Sequence, residues 1–300
     1  MEEVKITCVK EFADVLIPVP IWNIYLKQYK PLPERMIRVT ELIGSPLRRR
    51  LLRENYENIT RRLSTLHYQI MGTMIHNLFE LKEFQEILED MKVAYDLNDD
   101  EKLLELAKKL VTFKRKKTMT VEYNSWTILA EYDLYEDNII YDFKVTSEFV
   151  VQNQRFDRYE KQLQIYRYLF EKKYNEKIKA IKNVFFLRDY SVTKSKYESP
   201  VIIAEYPIWE DKKVEEYLEE RLALHEKGEI CSEDDMMIRV FFWVGKRRFT
   251  DEAKAVKYSL QTGQSIREEI IPMGCLYFCE VADFCPQFQK LKKIFKSSNI

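Results

Sequence analysis

The chain has 300 residues, 46% of them hydrophobic and 33% charged, with 49 basic side chains against 49 acidic ones. That is enough for one large domain, or a domain with sizeable appendages, around an apolar core. The balance gives no clue to a partner; neither GxGxxG nor GxxxxGK followed by Ser or Thr occurs among only six glycines, which argues against a glycine-rich phosphate loop, and no run of 18 or more apolar residues appears, so no membrane span is expected.

The first 35 residues mix short apolar runs with Pro18, Pro20, Pro31 and Pro33 and read as irregular, with strand character in places. Ser45-Pro46 then starts a helix, serine as the cap and proline in the first turn. A longer helical pattern covers about residues 64–90, with Leu66, Ile70, Met74, Leu78 and Phe79 in phase. Asp99 or Asp100 caps another helix through about Leu110. Residues 118–129 are rich in β-branched and aromatic types; the segment 130–135 continues as a strand, the EDN stretch turns, and 138–146 returns as a second strand. A helix over 156–173, strands near 181–188 and 201–206, and a helix over 211–227 follow, then a tail with cysteines. Helices, a hairpin, a helix and further strands predict an α/β fold with a mixed sheet. The expected division is an N-terminal helical and irregular region at 1–63, a core at 64–210 and a C-terminal helical region at 211–300.

Within EYDLYEDNIIYDFKVTS, Asp142 and Lys144 stand two apart on a strand and so share a face, while Phe143 points the other way. Pairing across the EDN turn brings Asp133 near Asp142. Two adjacent carboxylates repel unless a divalent cation lies between them. A neighbouring lysine can orient a water or stabilise charge on a phosphate. A surface ion pair explains the same residues without chemistry. Upstream, Gly72, His76 and Glu80 recur at four-residue intervals along one helical face; the glycine suggests close approach of another group, and His76 could offer a nitrogen to the same metal. Downstream, Gln162 and Tyr166 stand at i and i+4, an amide beside a phenol, which can contact phosphate and base or sugar. Basic clusters occur at Arg48-Arg49-Arg50, Lys114-Arg115-Lys116-Lys117 and Lys246-Arg247-Arg248.

Taken in order, Gly72-x3-His76-x3-Glu80, Asp133, Asp142-x-Lys144 and Gln162-x3-Tyr166 resemble the motifs of RecB-like nucleases in the PD-(D/E)XK superfamily, over about residues 65–190. The resemblance implies a restriction-endonuclease-like core, a mixed sheet flanked by helices, and metal-assisted hydrolysis of DNA, as an exonuclease on single strands or duplex ends. It implies Mg2+ or Mn2+ held by His76, Asp133, Asp142 and the backbone carbonyl of Phe143, with Lys144 catalytic and Gln162 and Tyr166 supporting substrate. Glu80 is expected in an outer shell, and Glu122 approaches from the preceding strand. The basic clusters become phosphate contacts. The family often has a glycine two or three residues before the first aspartate; Ala130-Glu131-Tyr132 stands there instead.

The tail GCLYFCEVADFCPQF carries Cys275, Cys279 and Cys285, three of the chain's five cysteines. In a cytoplasmic setting, expected because the N-terminus lacks a signal-type apolar stretch, such thiols read as metal ligands. A closed site needs a fourth, with Cys231 the first choice and Cys8 the second. Iron–sulfur and zinc both accept four thiolates. Resemblance to AddB, the nuclease of CRISPR adaptation and related phage-encoded proteins favours a 4Fe-4S cluster as a staple, although the segment TELIGSPLRRR lacks their upstream cysteine, which keeps zinc in play. DNA is the expected partner, with no membrane; a homo-oligomer and a phage or repair protein partner stay open. The competing expectations are a nucleic-acid-binding subunit with a vestigial nuclease site and a purely structural metal protein.

Overall fold

Two tight turns that contain no glycine set the first sheets. Asn124 and Ser125, at φ 44° and 64°, join β2 (Thr118–Tyr123) to β3 (Trp126–Glu131); Asp137 and Asn138, at 51° and 63°, join β4 (Leu134–Glu136) to β5 (Ile139–Thr146). Positive φ at both central residues is the geometry that matches strand twist, and Asn and Asp tolerate it best among residues with a side chain. The computed structural model describes residues 30–59, 72, 87 and 89–297, with side chains except those of 109–117 and 293–297. The chain divides into two compact units, Leu32–Ile43 with His67–Ala223, and Met1–Pro31 with Gly44–Leu66 and Leu224–Ile300.

In the first unit, β1 (Met36–Arg38) pairs parallel with β3, giving the order β1-β3-β2. A second sheet has the order β4-β5-β6-β7, with β6 (Ala180–Leu187) parallel to β5 and β7 (Val201–Tyr206) antiparallel to β6. The parallel pair needs a crossover, supplied by α4 (Glu148–Gln152) and α5 (Asp157–Tyr174). Earlier in this unit lie α1 (Val39–Leu42) and α3 (Asp100–Lys117), the latter capped by Asp99, whose side chain accepts from Lys102 N. The architecture is therefore α/β, with mixed sheets flanked by helices.

α5 touches strands of both sheets, and every residue from Gln162 to Phe170 is buried. A helix apolar on one stripe covers one layer; a helix buried all round lies within the core. Its Leu163, Ile165, Tyr166, Leu169 and Phe170 join Ile128, Ala130, Ile140 and Ile181 in one cluster, closed by Val214, Leu218 and Leu222 of α6 (Asp211–Lys227). The expected continuous strand over 130–135 is broken: the chain leaves one sheet at Glu131 and enters the other at Leu134. Tyr132 fills the gap, its ring edge-on to Tyr166 and Phe170 at 6.3 and 6.1 Å. The 118–129 run, rich in β-branched and aromatic types, is divided between two strands by the Asn124-Ser125 turn.

In the second unit, α2 (Pro46–Asn55) starts as its cap predicts, with Arg48 N donating to Ser45 Oγ at 3.1 Å. The tail holds structure that the sequence did not announce: α7 (Glu233–Met236), an antiparallel sheet β10-β8-β9 formed by β8 (Ile238–Val244), β9 (Arg247–Phe249) and β10 (Ile266–Pro272), α8 (Glu252–Thr262) between the last two strands, and α9 (Pro286–Ser297). At Gly274 a Cβ would meet the carbonyl oxygens of Asp235 and Met236 at 2.7 and 2.8 Å, so only glycine lets this turn pack on α7.

Candidate functional site

Asp142 sits near the middle of β5 at 2% exposure, with Lys144 on the same face and Phe143 on the other, its ring edge-on to Phe186 at 6.2 Å. A buried carboxylate is tolerated where donors replace water. Three do so here: Lys144 Nζ lies 2.6 Å from Oδ2, Asn183 Nδ2 donates to Oδ2 at 2.8 Å, and Gln162 Nε2 donates to Oδ1 at 3.1 Å. Asn183 Nδ2 also reaches the Asp142 carbonyl at 3.0 Å, and Gln162 Nε2 reaches Tyr166 Oη at 2.7 Å.

Asp133 arrives from the break between the sheets. Its N–H donates to the carbonyl of Tyr141, the residue in register with Leu134, at 3.2 Å, and its Oδ2 accepts from Phe143 N at 2.6 Å. The carboxylate thus takes the place on β5 that a longer β4 would have filled with a carbonyl. Because N–H and C=O of one strand residue point to the same side, the Phe143 carbonyl is directed to this edge too.

Burial works to lower the Lys144 pKa, but Asp142 and Asp133 together outweigh it and hold the ammonium above lysine's ordinary value. Burial, then Asp142, keeps the Tyr166 phenol protonated far above its usual range, with Asp133 and Glu131 adding to it. Asp133, Asp142, Lys144, Gln162, Tyr166 and Asn183 therefore form one electrostatic group.

The other expected residues are distributed as follows. His76 and Glu80 lie outside the described residues. Gly72 is helical, and a Cβ there meets no atom of the described residues within 4 Å, so the close approach expected at this glycine has no counterpart among them. Glu122 is exposed near the turn of its hairpin and accepts from Thr127 Oγ1 at 2.8 Å. Gln162 and Tyr166 face inward rather than outward, because α5 is buried on all sides; they bear on Asp142, not on solvent. Asn183 was missed. Its signal was a lone amide in AIKNVFFL, in phase with Ile181, Phe185 and Leu187, all of them buried. Its Oδ1 is buried with no hydrogen-bond partner among the described residues.

In the second unit, Cys231, Cys275, Cys279 and Cys285 are free thiols within one apolar cluster, with Leu47, Leu51, Met236, Val281 and Phe288. Cys231 is fastened to the start of α9 from both sides: its N–H donates to Gln287 Oε1 at 3.1 Å, and Gln287 Nε2 donates to its carbonyl at 2.8 Å. Burial pushes Cys231 up to about 11 and Cys275 to about 12, with the neighbouring cysteines adding to both. Burial also raises Cys279, against the pull of the Val281 amide and Arg48. The four sulfurs thus sense one another, yet among the described residues no set of three or more His, Cys, Asp or Glu side chains is gathered tightly enough to hold a metal ion. Cys8 lies outside the described residues.

The basic clusters divide. Arg48 is not available for phosphate, since its guanidinium forks Glu280 at 2.7–3.1 Å, and Arg49 is buried. The side chains of Lys114-Arg115-Lys116-Lys117 are outside the described set, whereas Lys246, Arg247 and Arg248 are exposed. No described helix is long and apolar enough to cross a membrane.

No family model matches the sequence, and no curated protein matches it. Among solved structures, the chain is similar to the crystal structure of SSO0001, with a TM-score of 0.42 and 15% identity over 71% of this chain and 85% of that one. It is similar as well to a phage related exonuclease from Haemophilus somnus 129PT, with a TM-score of 0.29 and 16% identity over 65% of this chain and 94% of that one. At these scores neither likeness bears on the chemistry.

Proposed function

We propose that the chain is a metal-dependent deoxyribonuclease, an exonuclease with a RecB-like, restriction-endonuclease-like core, and that Asp133, Asp142 and Lys144 are its catalytic residues. The observation that supports this is the buried Asp142 carboxylate, held by three donors, with Lys144 Nζ 2.6 Å away and Asp133 fastened to the intervening residue. A surface ion pair needs no such enclosure, and a buried one contributes little net stability.

The donor set suits a hard cation. Two carboxylates and the Phe143 carbonyl supply oxygen only, the ligand type that Mg2+ and Mn2+ select, and His76 is the further ligand that the motif order implies. When bound, such an ion neutralises phosphate charge and lowers the pKa of bound water. The protein's own groups do the rest. Asp133 and Asp142 are fixed before substrate arrives, so no reorganisation is needed. Lys144, protonated at neutral pH, donates to a phosphate oxygen or to the attacking water rather than removing a proton. Water oxygen bonds to phosphorus and gives up a proton to solvent, while the bond to one ribose oxygen breaks and that oxygen takes a proton from solvent as it leaves. Gln162 and Asn183 keep Asp142 oriented throughout.

The four thiols of the second unit complete the reading. We propose Cys231, Cys275, Cys279 and Cys285 as the donors for a structural 4Fe-4S cluster, with zinc the other ion that the same sulfurs accept; as they stand the sulfurs are not gathered tightly enough to hold a metal, so loading must draw them together. The tie between Cys231 and Gln287 supports Cys231 as the fourth ligand.

The test is degradation of end-labelled DNA in Mg2+ or Mn2+ by the wild type and by Asp142→Ala and Asp133→Ala. Removing Asp142 leaves a buried ammonium and could unfold the chain, so circular dichroism accompanies it and Asp133→Ala provides the independent variant. Loss of cleavage in folded variants supports the reading. A wild type that binds DNA without cutting it points instead to a binding subunit with a vestigial site.

A further inference from the structure

We infer that the face of the sheet β10-β8-β9 opposite α8 is a binding surface for single-stranded nucleic acid, built from residues other than the carboxylate group. The inference deepens the nuclease reading by naming the strand form that the chain holds, and it rests on that reading only for taking the polymer to be DNA.

The two faces of this sheet differ. α8 packs on one of them: Tyr258 of α8 lies 5.4 Å from Phe249, Arg247 lies over both rings, and Phe249 is in register with Phe242. Alternation sends Phe241, Trp243 and Arg248 to the opposite face. Register then builds a row across the strands, because Trp243 of β8 stands opposite Arg248 of β9 and Arg267 of β10. The guanidinium carbons of Arg248 and Arg267 lie 5.9 and 5.8 Å from the Trp243 ring, and that of Arg248 lies 4.6 Å from Phe241. Both arginines are exposed, and both aromatics are half-buried. Trp243 Nε1 donates to Glu269 Oε2 at 2.7 Å, which orients the indole, and Glu269 is the carboxylate of this row. Lys246, exposed in the turn between β8 and β9, adds a further cation.

Large half-exposed rings alternating with guanidinium groups across a pleated surface match one ligand chemistry in particular. A single strand offers π faces for the rings and phosphates for the arginines, and its bases are available because they are not paired. A duplex hides its π faces. An acidic peptide would satisfy the charge but not the aromatics. The expectation is binding with little base preference, since every base offers a π face to stack.

The experiment is fluorescence anisotropy of a labelled twenty-residue oligo-dT with the full chain in EDTA, so that no hydrolysis intervenes. Expected results are preference for oligo-dT over a duplex of equal length, and a loss of affinity with rising salt. Trp243→Ala should weaken binding about 5- to 100-fold. Arg248→Ala, at an exposed position, should weaken it too and flatten the slope of log affinity against log salt by about 0.7. Gln261→Ala, at an exposed position of α8, should bind as the wild type does, and because binding is read in EDTA the result stays distinct from any failure of the nuclease reading. The inference is overturned if folded Trp243→Ala and Arg248→Ala bind like the wild type, if duplex and single strand bind equally, or if polyglutamate displaces the oligonucleotide as well as oligo-dT does.

Discussion

Asn183 shows how much one buried amide can settle. Its two contacts with Asp142, at 2.8 and 3.0 Å, fix the carboxylate and the strand that carries it, at no exposure to solvent. Replacing it with leucine, of similar volume, removes both donors. The folded state is expected to lose about 1.5–3 kcal/mol, the range for a hydrogen bond to a charged group, measured by urea denaturation. On the proposed function, the same variant should lower kcat/KM about 10- to 100-fold, with a parallel loss of Mn2+ affinity in calorimetric titration. Stability lost with kinetics intact would make Asn183 purely structural. The aspartates and lysine were legible beforehand, since period-two spacing places Asp142 and Lys144 on one face. Asn183 was not, because its partner lies on a strand 41 residues away and the pairing exists only once β5 and β6 align.

At the scale of elements, most of the fold around the site could be read from local pattern. The Ser45 and Asp99 caps, the 157–174 helix and the β6 and β7 strands stand within a few residues of expectation. What escaped was what local pattern does not encode. The Asn124-Ser125 turn lacks glycine or proline, so the hairpin within 118–131 carried no turn signal. The step between sheets at Tyr132-Asp133 is a tertiary event, driven by Tyr132 entering the core beside Tyr166 and Phe170. The sheet of the second unit was hidden in a tail judged by its cysteines. Left-handed turns without glycine make a sharp prediction: Asn138→Val, at φ 63°, should destabilise the chain by about 1–2 kcal/mol through backbone strain, beyond the loss of the Tyr135 hydroxyl contact at 2.7 Å. Asn138→Gly loses the same contact without the strain, so its thermal midpoint should exceed that of the valine variant. Equal midpoints would show that the turn does not impose this conformation. Within α5, Leu169→Ala should cost about 2–5 kcal/mol, because Leu169 is wholly buried in the core cluster.

At the scale of the whole molecule, the proposed function gives the two units two kinds of chemistry: hard oxygen donors around β5 in one, soft sulfur donors around α9 in the other. Cys231, Cys275 and Cys279 have pKa values raised chiefly by burial; because a metal takes thiolates, its binding would release protons and add folding free energy. Anaerobically purified protein is expected to contain stoichiometric iron, with broad visible absorption, or zinc and no colour. Cys231→Ser or Cys275→Ser should remove that metal and lower the thermal midpoint, whereas Cys8→Ser should not. Full metal content in Cys231→Ser would assign the fourth ligand elsewhere. The central claim concerns the other unit, and it is tested most directly by single-turnover cleavage of end-labelled DNA in Mn2+ by wild type and Lys144→Met. The prediction is cleavage by the wild type and a rate about 10²–10³-fold lower in the folded variant, with Mn2+ affinity retained. No cleavage by the metal-loaded wild type, or equal rates for the two proteins, would contradict it.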